Sequence, residues 1–273
     1  MWNLRGTFER WIEAAWGLRP TTRREVGWLL GLLAVAAALF AFVSLAGEML
    51  EGETQAFDRT ILLALRNSMD PGDPIGPRWM EEVARDVTSL GGNAILTAFT
   101  VAVVGFLALV EMRAAAVLVV LSVGGGTALS SLLKLGFARP RPDLVPHAVE
   151  VYSASFPSGH AMLSAVTYLT LGALIIRVQP RWRVKVYIFS LAVATTVLIG
   201  VSRVYLGVHW PTDVLAGWCV GAAWALLCWL AALRLQSRGR IETAVPVLAE
   251  DVEGPGPAAK AAEGQSTGHS RLP

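Results

Sequence analysis

Three short stretches hold most of the side chains able to do chemistry: 134-KLGFARPRP-142, 157-PSGH-160 and 202-SRVYLGVHWPTD-213. Lys134, Arg141 and Arg203 supply cations with little carboxylate beside them in sequence. An arginine fork matches phosphate oxygens, and a lysine adds a point charge. Ser158 and Gly159 stand at the start of an apolar run that reads as a helix. Their backbone N–H groups are expected to be free to face an anion, and Ser158 is able to cap the helix. Gly159 has no side chain to obstruct that approach. His209 is followed by Pro211 and Asp213. Proline favours the first turn of a helix, which places Asp213 near a helix start. From there it can accept a hydrogen bond from one ring nitrogen of His209 and leave the other free to attack. His160 comes from a different segment and can protonate a departing oxygen. A nucleophile, an orienting carboxylate, an acid and an anion cradle together make a phosphoryl-transfer site. The three cations supply its positive charge, so no metal or other cofactor is required.

These residues must be positioned by membrane helices. The chain has 273 residues, 54% hydrophobic and only 16% charged, whereas a soluble domain carries about 25% charged residues. The apolar residues come in blocks long enough to cross a hydrocarbon core, which takes about 20 residues. Six segments qualify: 26–47, 93–110, 114–133, 159–176, 186–201 and 214–230. The fifth is short, with Lys185 placed to snorkel from its end. Gly124, Gly125 and Gly126 in the third are expected to mark close helix approach. The fold class is therefore all-α, a polytopic bundle of six transmembrane helices. The first apolar block begins near Val26 and is longer than a signal-peptide core, so a retained first span is expected.

The flanking charges orient the bundle. Arg5, Arg10, Arg19, Arg23 and Arg24 precede the first span, and Arg113 separates the second from the third. Arg177, Arg181, Arg183 and Lys185 lie between the fourth and fifth, and Arg234, Arg238 and Arg240 follow the sixth. All fall on one side, expected to be the cytoplasm, with both termini there. Lys134, Arg139, Arg141 and Arg203 fall on the opposite side, together with 157–160 and 202–213. The expected organisation is an interfacial segment over 1–25, a six-span domain over 26–233 and a disordered tail over 234–273. Within the domain, 48–92 forms an outer loop with surface helices, one of them over 57–67. Trp2, Leu4, Phe8, Trp11, Ala15 and Leu18 recur at helical spacing, as in a helix lying in the inner interface. A net charge of +2 is too small to point to a nucleic-acid partner. Cys219 and Cys228 are too far apart on one helix to bridge and read as packing residues.

The pattern Lys134-x6-Arg141-Pro142, then Pro157-Ser158-Gly159-His160, then Ser202-Arg203-x5-His209-x3-Asp213 resembles the three-part signature of the type 2 phosphatidic acid phosphatase superfamily. The resemblance implies a membrane lipid phosphatase. It casts His209 as the nucleophile that forms a phosphohistidine, Asp213 as its orienter and His160 as the leaving-group acid. It assigns the phosphate oxygens to Lys134, Arg141, Ser158, Gly159 and Arg203. Arg139 is an extra cation with no role carried over, and contact with lipid headgroups is its plain alternative. The expected substrate is a lipid phosphate whose chains stay in the bilayer: undecaprenyl diphosphate, phosphatidylglycerophosphate or phosphatidic acid. A chain rich in Ala, Arg and Trp with no organelle signal fits a bacterial plasma membrane, with the site facing the periplasm or exterior. A phosphotransferase would share the first half-reaction and pass the phosphoryl group to a hydroxyl instead of water. A zinc site is disfavoured because the neighbouring Lys and Arg residues repel a metal cation. A transporter or lipid-binding protein with a decayed site is disfavoured by the intact signature. His147 has no motif around it and reads as structural.

Overall fold

The computed structural model describes residues 20–145 and 153–237. The N-terminal interfacial helix, His147 and the tail beyond 237 lie outside the described residues. Among the described residues eight helices follow one another: α1 (Pro20–Glu51), α2 (Gln55–Ala64), α3 (Arg78–Ser89), α4 (Asn93–Leu109), α5 (Arg113–Phe137), α6 (Gly159–Val178), α7 (Trp182–Tyr205) and α8 (Pro211–Ser237). The described residues contain no β-strand beyond one isolated bridge between Arg66 and Pro74. Five helices, α1 and α5 to α8, are long and apolar enough to cross a membrane. The second expected span, 93–110, is only the 17 residues of α4, and reaches full length by pairing with α3 across a 46° bend at Gly91 and Gly92.

The fifth span is longer than its apolar run, because helix continues through the charged ends to Trp182 and Tyr205. Helical hydrogen bonding satisfies the backbone past the point where apolar side chains stop, as it must at a bilayer boundary.

Helix α6 is the centre of the bundle and packs on α5, α7 and α8, while α1 lies against α8 and presents Leu29, Leu33, Phe40 and Val43 outward. The α6–α8 seam is close because α8 carries Gly217 and Gly221 one turn apart. A Cβ on Gly217 would stand 2.7 Å from Ser158 O, and one on Gly221 2.5 Å from Met162 O. Small residues at this spacing let membrane helix backbones touch. The glycine run of α5 behaves less uniformly than expected. Gly125 faces the Trp224 indole and Gly126 faces Val166, but Gly124 opens onto empty space. Phe42, Phe156, Met162, Ala216 and Val220 form an apolar cluster joining α1, α6 and α8 beneath the 157–160 turn. Trp224 Nε1 donates to Ser122 O at 2.8 Å and Trp218 Nε1 to Thr196 O at 3.2 Å, so both indoles find partners inside the apolar bundle.

Candidate active site

The three sequence stretches meet at one end of the bundle, where α5 and α7 finish and α6 and α8 begin. Helix α7 ends in a turn that needs Gly207, whose φ of +74° lies in the left-handed region. That turn returns the chain as His209 and Trp210 into α8, which starts at Pro211. Asp213 sits in the first turn and reaches back to accept from Trp210 N at 2.9 Å, in the manner of a capping-box carboxylate. Its Oδ2 also accepts from Ser155 Oγ and faces His209 Nδ1 at 3.4 Å. The expected His209–Asp213 contact is therefore present, with Ser155 as an unforeseen third member.

The other ring nitrogen fixes the tautomer. His209 Nε2 lies 3.2 Å from Arg141 Nη1, which can only donate. Nε2 therefore offers a lone pair, and the proton sits on Nδ1, toward Asp213 and Ser155. Burial pushes the His209 imidazole down to about 3, even though the hydrogen bond and charge of Asp213 act to raise it. The ring is thus neutral, with its lone pair directed at a guanidinium.

Arg141 is held by the main chain, donating from Nη1 to Val208 O at 2.7 Å and from Nε to Ser153 O at 2.8 Å. Burial pulls its guanidinium below the ordinary arginine value, against the opposing pull of Asp213. Lys134 Nζ donates to Ser153 Oγ at 2.9 Å, and Arg141 Nη2 approaches the same hydroxyl at 3.3 Å. Arg203 is 4% exposed and donates from Nη1 to Thr88 Oγ1 at 3.2 Å, while its buried Nε has no partner. Among the described residues none of these three cations forms an ion pair. His160 lies within electrostatic reach of Lys134, Arg141, Arg203 and His209, and the three cations lie within reach of one another. A patch of positive charge, buried at Arg203 and half-buried at Lys134 and Arg141, faces a neutral imidazole and is suited to an anion.

At the start of α6 the structure corrects two expectations. The Ser158 N–H is not free: it donates to Asp213 O at 2.9 Å and ties the α6 start to α8. Nor does the Ser158 side chain cap α6; its Oγ is buried without a partner. Of the two Ser158 donors, the hydroxyl rather than the amide is left without a partner. Gly159, first in α6, keeps an N–H with no intrahelical acceptor. A Cβ there would stand 3.4 Å from Lys134 Nζ, so the missing side chain leaves the ammonium open to the helix start. The His160 ring packs by the α3–α4 bend, 3.4 Å from where a Gly91 Cβ would be and 3.9 Å from that of Gly92. Tyr168 Oη donates to Leu90 O at 2.9 Å and holds that bend against α6.

Two charged residues were not assigned to the site by their sequence. Arg139 is not a headgroup contact: Nη1 donates to Asp213 Oδ1 at 2.6 Å and Nη2 to Asp58 Oδ2 at 2.7 Å. Asp58 belongs to α2, a helix expected to lie on the surface, yet its carboxylate is fully buried. An acid in an amphipathic helix ordinarily faces water, so only its distant partners reveal this one.

The membrane bundle and the site at its end define a membrane-embedded hydrolase of phosphoric esters. The PAP2 superfamily model matches residues 114–237, a range that contains all three stretches. Phosphatidylglycerophosphatase B of Bacillus subtilis is 36% identical over 146 residues, covering 52% of this chain and 70% of the relative. An undecaprenyl-diphosphatase of Sulfolobus acidocaldarius is 33% identical over 119 residues, 44% of this chain and 47% of the relative. The crystal structure of a transmembrane PAP2-type phosphatidylglycerolphosphate phosphatase from Bacillus subtilis superposes with a TM-score of 0.67 at 28% identity. It covers 77% of this chain and 98% of that one. The chain belongs to the PAP2 superfamily, as a multi-pass membrane protein of its lipid phosphatase group.

Proposed function

We propose that the chain hydrolyses a lipid phosphate or diphosphate through a phosphohistidine on His209 Nε2. The observation that carries this is the His209 ring itself, with Nδ1 backed by Asp213 at 3.4 Å and Nε2 turned to Arg141 at 3.2 Å. Nε2 attacks phosphorus, the P–O bond to the lipid breaks, and His160 gives its proton to the leaving oxygen. Water then attacks the phosphohistidine while His160 takes up the water proton, releasing phosphate and restoring both rings. Lys134, Arg141, Arg203, the Ser158 hydroxyl and the Gly159 N–H hold the phosphate oxygens. Donors preset around a developing charge act most strongly in a site that excludes water. The cations supply that charge, so the reaction is metal-independent.

Phosphatidylglycerophosphate and undecaprenyl diphosphate, the substrates in the names of two relatives, are the first candidates, with phosphatidic acid beside them. The site faces the exterior. This is supported by Arg113 at the start of α5, Arg177, Arg181, Arg183 and Lys185 around the α6–α7 link, and Arg234 near the end of α8, all at the opposite end. Phosphate release from the three lipids in detergent, with and without a chelator, tests the proposal. Wild type should turn over at least one of them at an unchanged rate in chelator, and His209→Ala should release none. Equal rates for wild type and His209→Ala would refute the mechanism.

A further inference from the structure

Outside the signature, α2 sends one fully buried carboxylate beneath the site. Asp58 Oδ1 accepts from Thr212 N at 2.9 Å, and Oδ2 accepts from Thr212 Oγ1 at 2.7 Å and Arg139 Nη2 at 2.7 Å. Thr212 lies in the first turn of α8, where backbone N–H groups have no intrahelical partner and attract negative charge. Asp58 thus satisfies that helix start from a segment 154 positions earlier in the chain. Arg139 bridges the two carboxylates: Nη2 reaches Asp58, while Nη1 reaches Asp213 Oδ1 at 2.6 Å and Thr212 Oγ1 at 2.9 Å. Its guanidinium also lies over the Trp210 ring at 5.6 Å.

The order of charges is minus, plus, minus, and then the His209 ring. Attack by Nε2 leaves a positive charge on that ring, and Asp213 is the nearest anion. A guanidinium paired with Asp213 alone would draw the carboxylate charge away from the ring. Asp58 takes up the second arm of Arg139 and leaves Asp213 Oδ2 available to Nδ1.

We infer that Asp58 is a positioning residue for the phosphoryl-transfer step, acting through Arg139 and Thr212 to hold Asp213 and hence the His209 ring. The inference rests on the nucleophilic role proposed for His209. It gives helix α2 a part in catalysis without any contact with substrate.

The test uses the full chain in detergent with phosphatidylglycerophosphate, reading kcat and KM from phosphate release. Asp58→Asn keeps the shape and an acceptor for Thr212 N–H but removes the charge. Its kcat should fall on the order of 10- to 100-fold with KM unchanged, the scale for supporting groups that misplace a reacting atom. Adding Arg139→Gln removes the guanidinium that now burdens Asp213, so the double variant should regain part of the lost kcat. A purely structural brace predicts the reverse, with losses that multiply. Unchanged kcat in Asp58→Asn, a matching rise in KM, or a double variant slower than either single one overturns the inference. If Asp58→Asn does not elute as a folded protein, Arg139→Lys replaces it, keeping one charge but losing the two-armed reach. A similar fall in kcat then supports the inference, and wild-type kcat overturns it. His209→Ala runs beside them: activity in that variant sinks the underlying mechanism, whereas its inactivity with a wild-type Asp58→Asn sinks only the present inference.

Discussion

Replacing Asp213 with Asn tests the His209 geometry most sharply, because it exchanges one oxygen for NH2 and leaves the shape unchanged. Asp213 Oδ1 accepts from Arg139, and Oδ2 accepts from Trp210 N and Ser155 Oγ and faces His209 Nδ1. An amide has one oxygen for these two sides. Turned toward Arg139, the oxygen keeps the charge-assisted bond but presents NH2 to His209. The ring then accepts at Nδ1 and carries its proton on Nε2, where no lone pair remains for attack. Turned toward His209, the amide restores the active tautomer but sets NH2 against the guanidinium. Giving up that bond costs about 1.5–3 kcal/mol, the range for hydrogen bonds to charged groups. The anion that stabilises the cationic ring during transfer is lost in either orientation, at about the same size again. The total is about 3–6 kcal/mol, and at about 1.4 kcal/mol per tenfold kcat should fall by about 10²–10⁴. KM should hardly move, since Asp213 does not face the phosphate cradle. Steady-state phosphate release gives both constants, and rapid acid-free quenching shows whether phosphoenzyme formation is the step that slows. An Asp213→Asn enzyme with kcat within tenfold of wild type would refute the tautomer assignment.

Arg203→Gln should lower kcat/KM by about 10²–10³, as loss of one preset donor to a developing oxyanion does, and Arg203→Lys should recover only part because the buried Nε is also lost. Gly221→Val places a carbon where Met162 O already stands 2.5 Å away, so its detergent thermal midpoint should fall by several degrees, whereas Gly124→Val, facing open space, should melt like wild type. His209 is held down to about 3 in the folded chain and takes a proton near 6.5 when unfolded. Acid therefore favours the unfolded state, and stability that is full above about 6.5 is lost progressively as pH falls toward 3. His209→Gln should lose less of its thermal midpoint between pH 7 and pH 5 than wild type does.

The sequence made the bundle legible through runs of apolar residues, and the site through residues whose neighbours betray them. Pro211 announced the helix start that puts Asp213 within reach of His209, and the two stand only four positions apart. Asp58 had no such herald. Its partners Arg139 and Thr212 lie 81 and 154 positions away, and local periodicity assigned it to water. Ser155 escaped because a hydroxyl before 157-PSGH-160 looks like any turn residue. Ser158 was assigned the wrong donor, since a helix start leaves its amide free only when no other chain claims it, and Asp213 O does. The second span was read as a single segment because hydropathy registers α4 and passes over the polar α3 that precedes it.

Gly217 and Gly221 bring the main chain of α8 directly against that of α6, and the Ser158 N–H bond to Asp213 O ties the two at the site. In the proposed mechanism one helix carries the proton donor and the other orients the attacking ring. Their spacing is therefore ruled by peptide groups, which neither stretch nor change rotamer. When the surrounding bilayer thickens or thins, helices respond by tilting. This pair must tilt together, so the gap between the helix ends that carry His160 and Asp213 stays constant while the whole unit leans. On the proposed mechanism, catalysis is expected to be insulated from the membrane's composition, with adaptation to different lipid tails falling to outward-facing helices such as α1, α4 and α7.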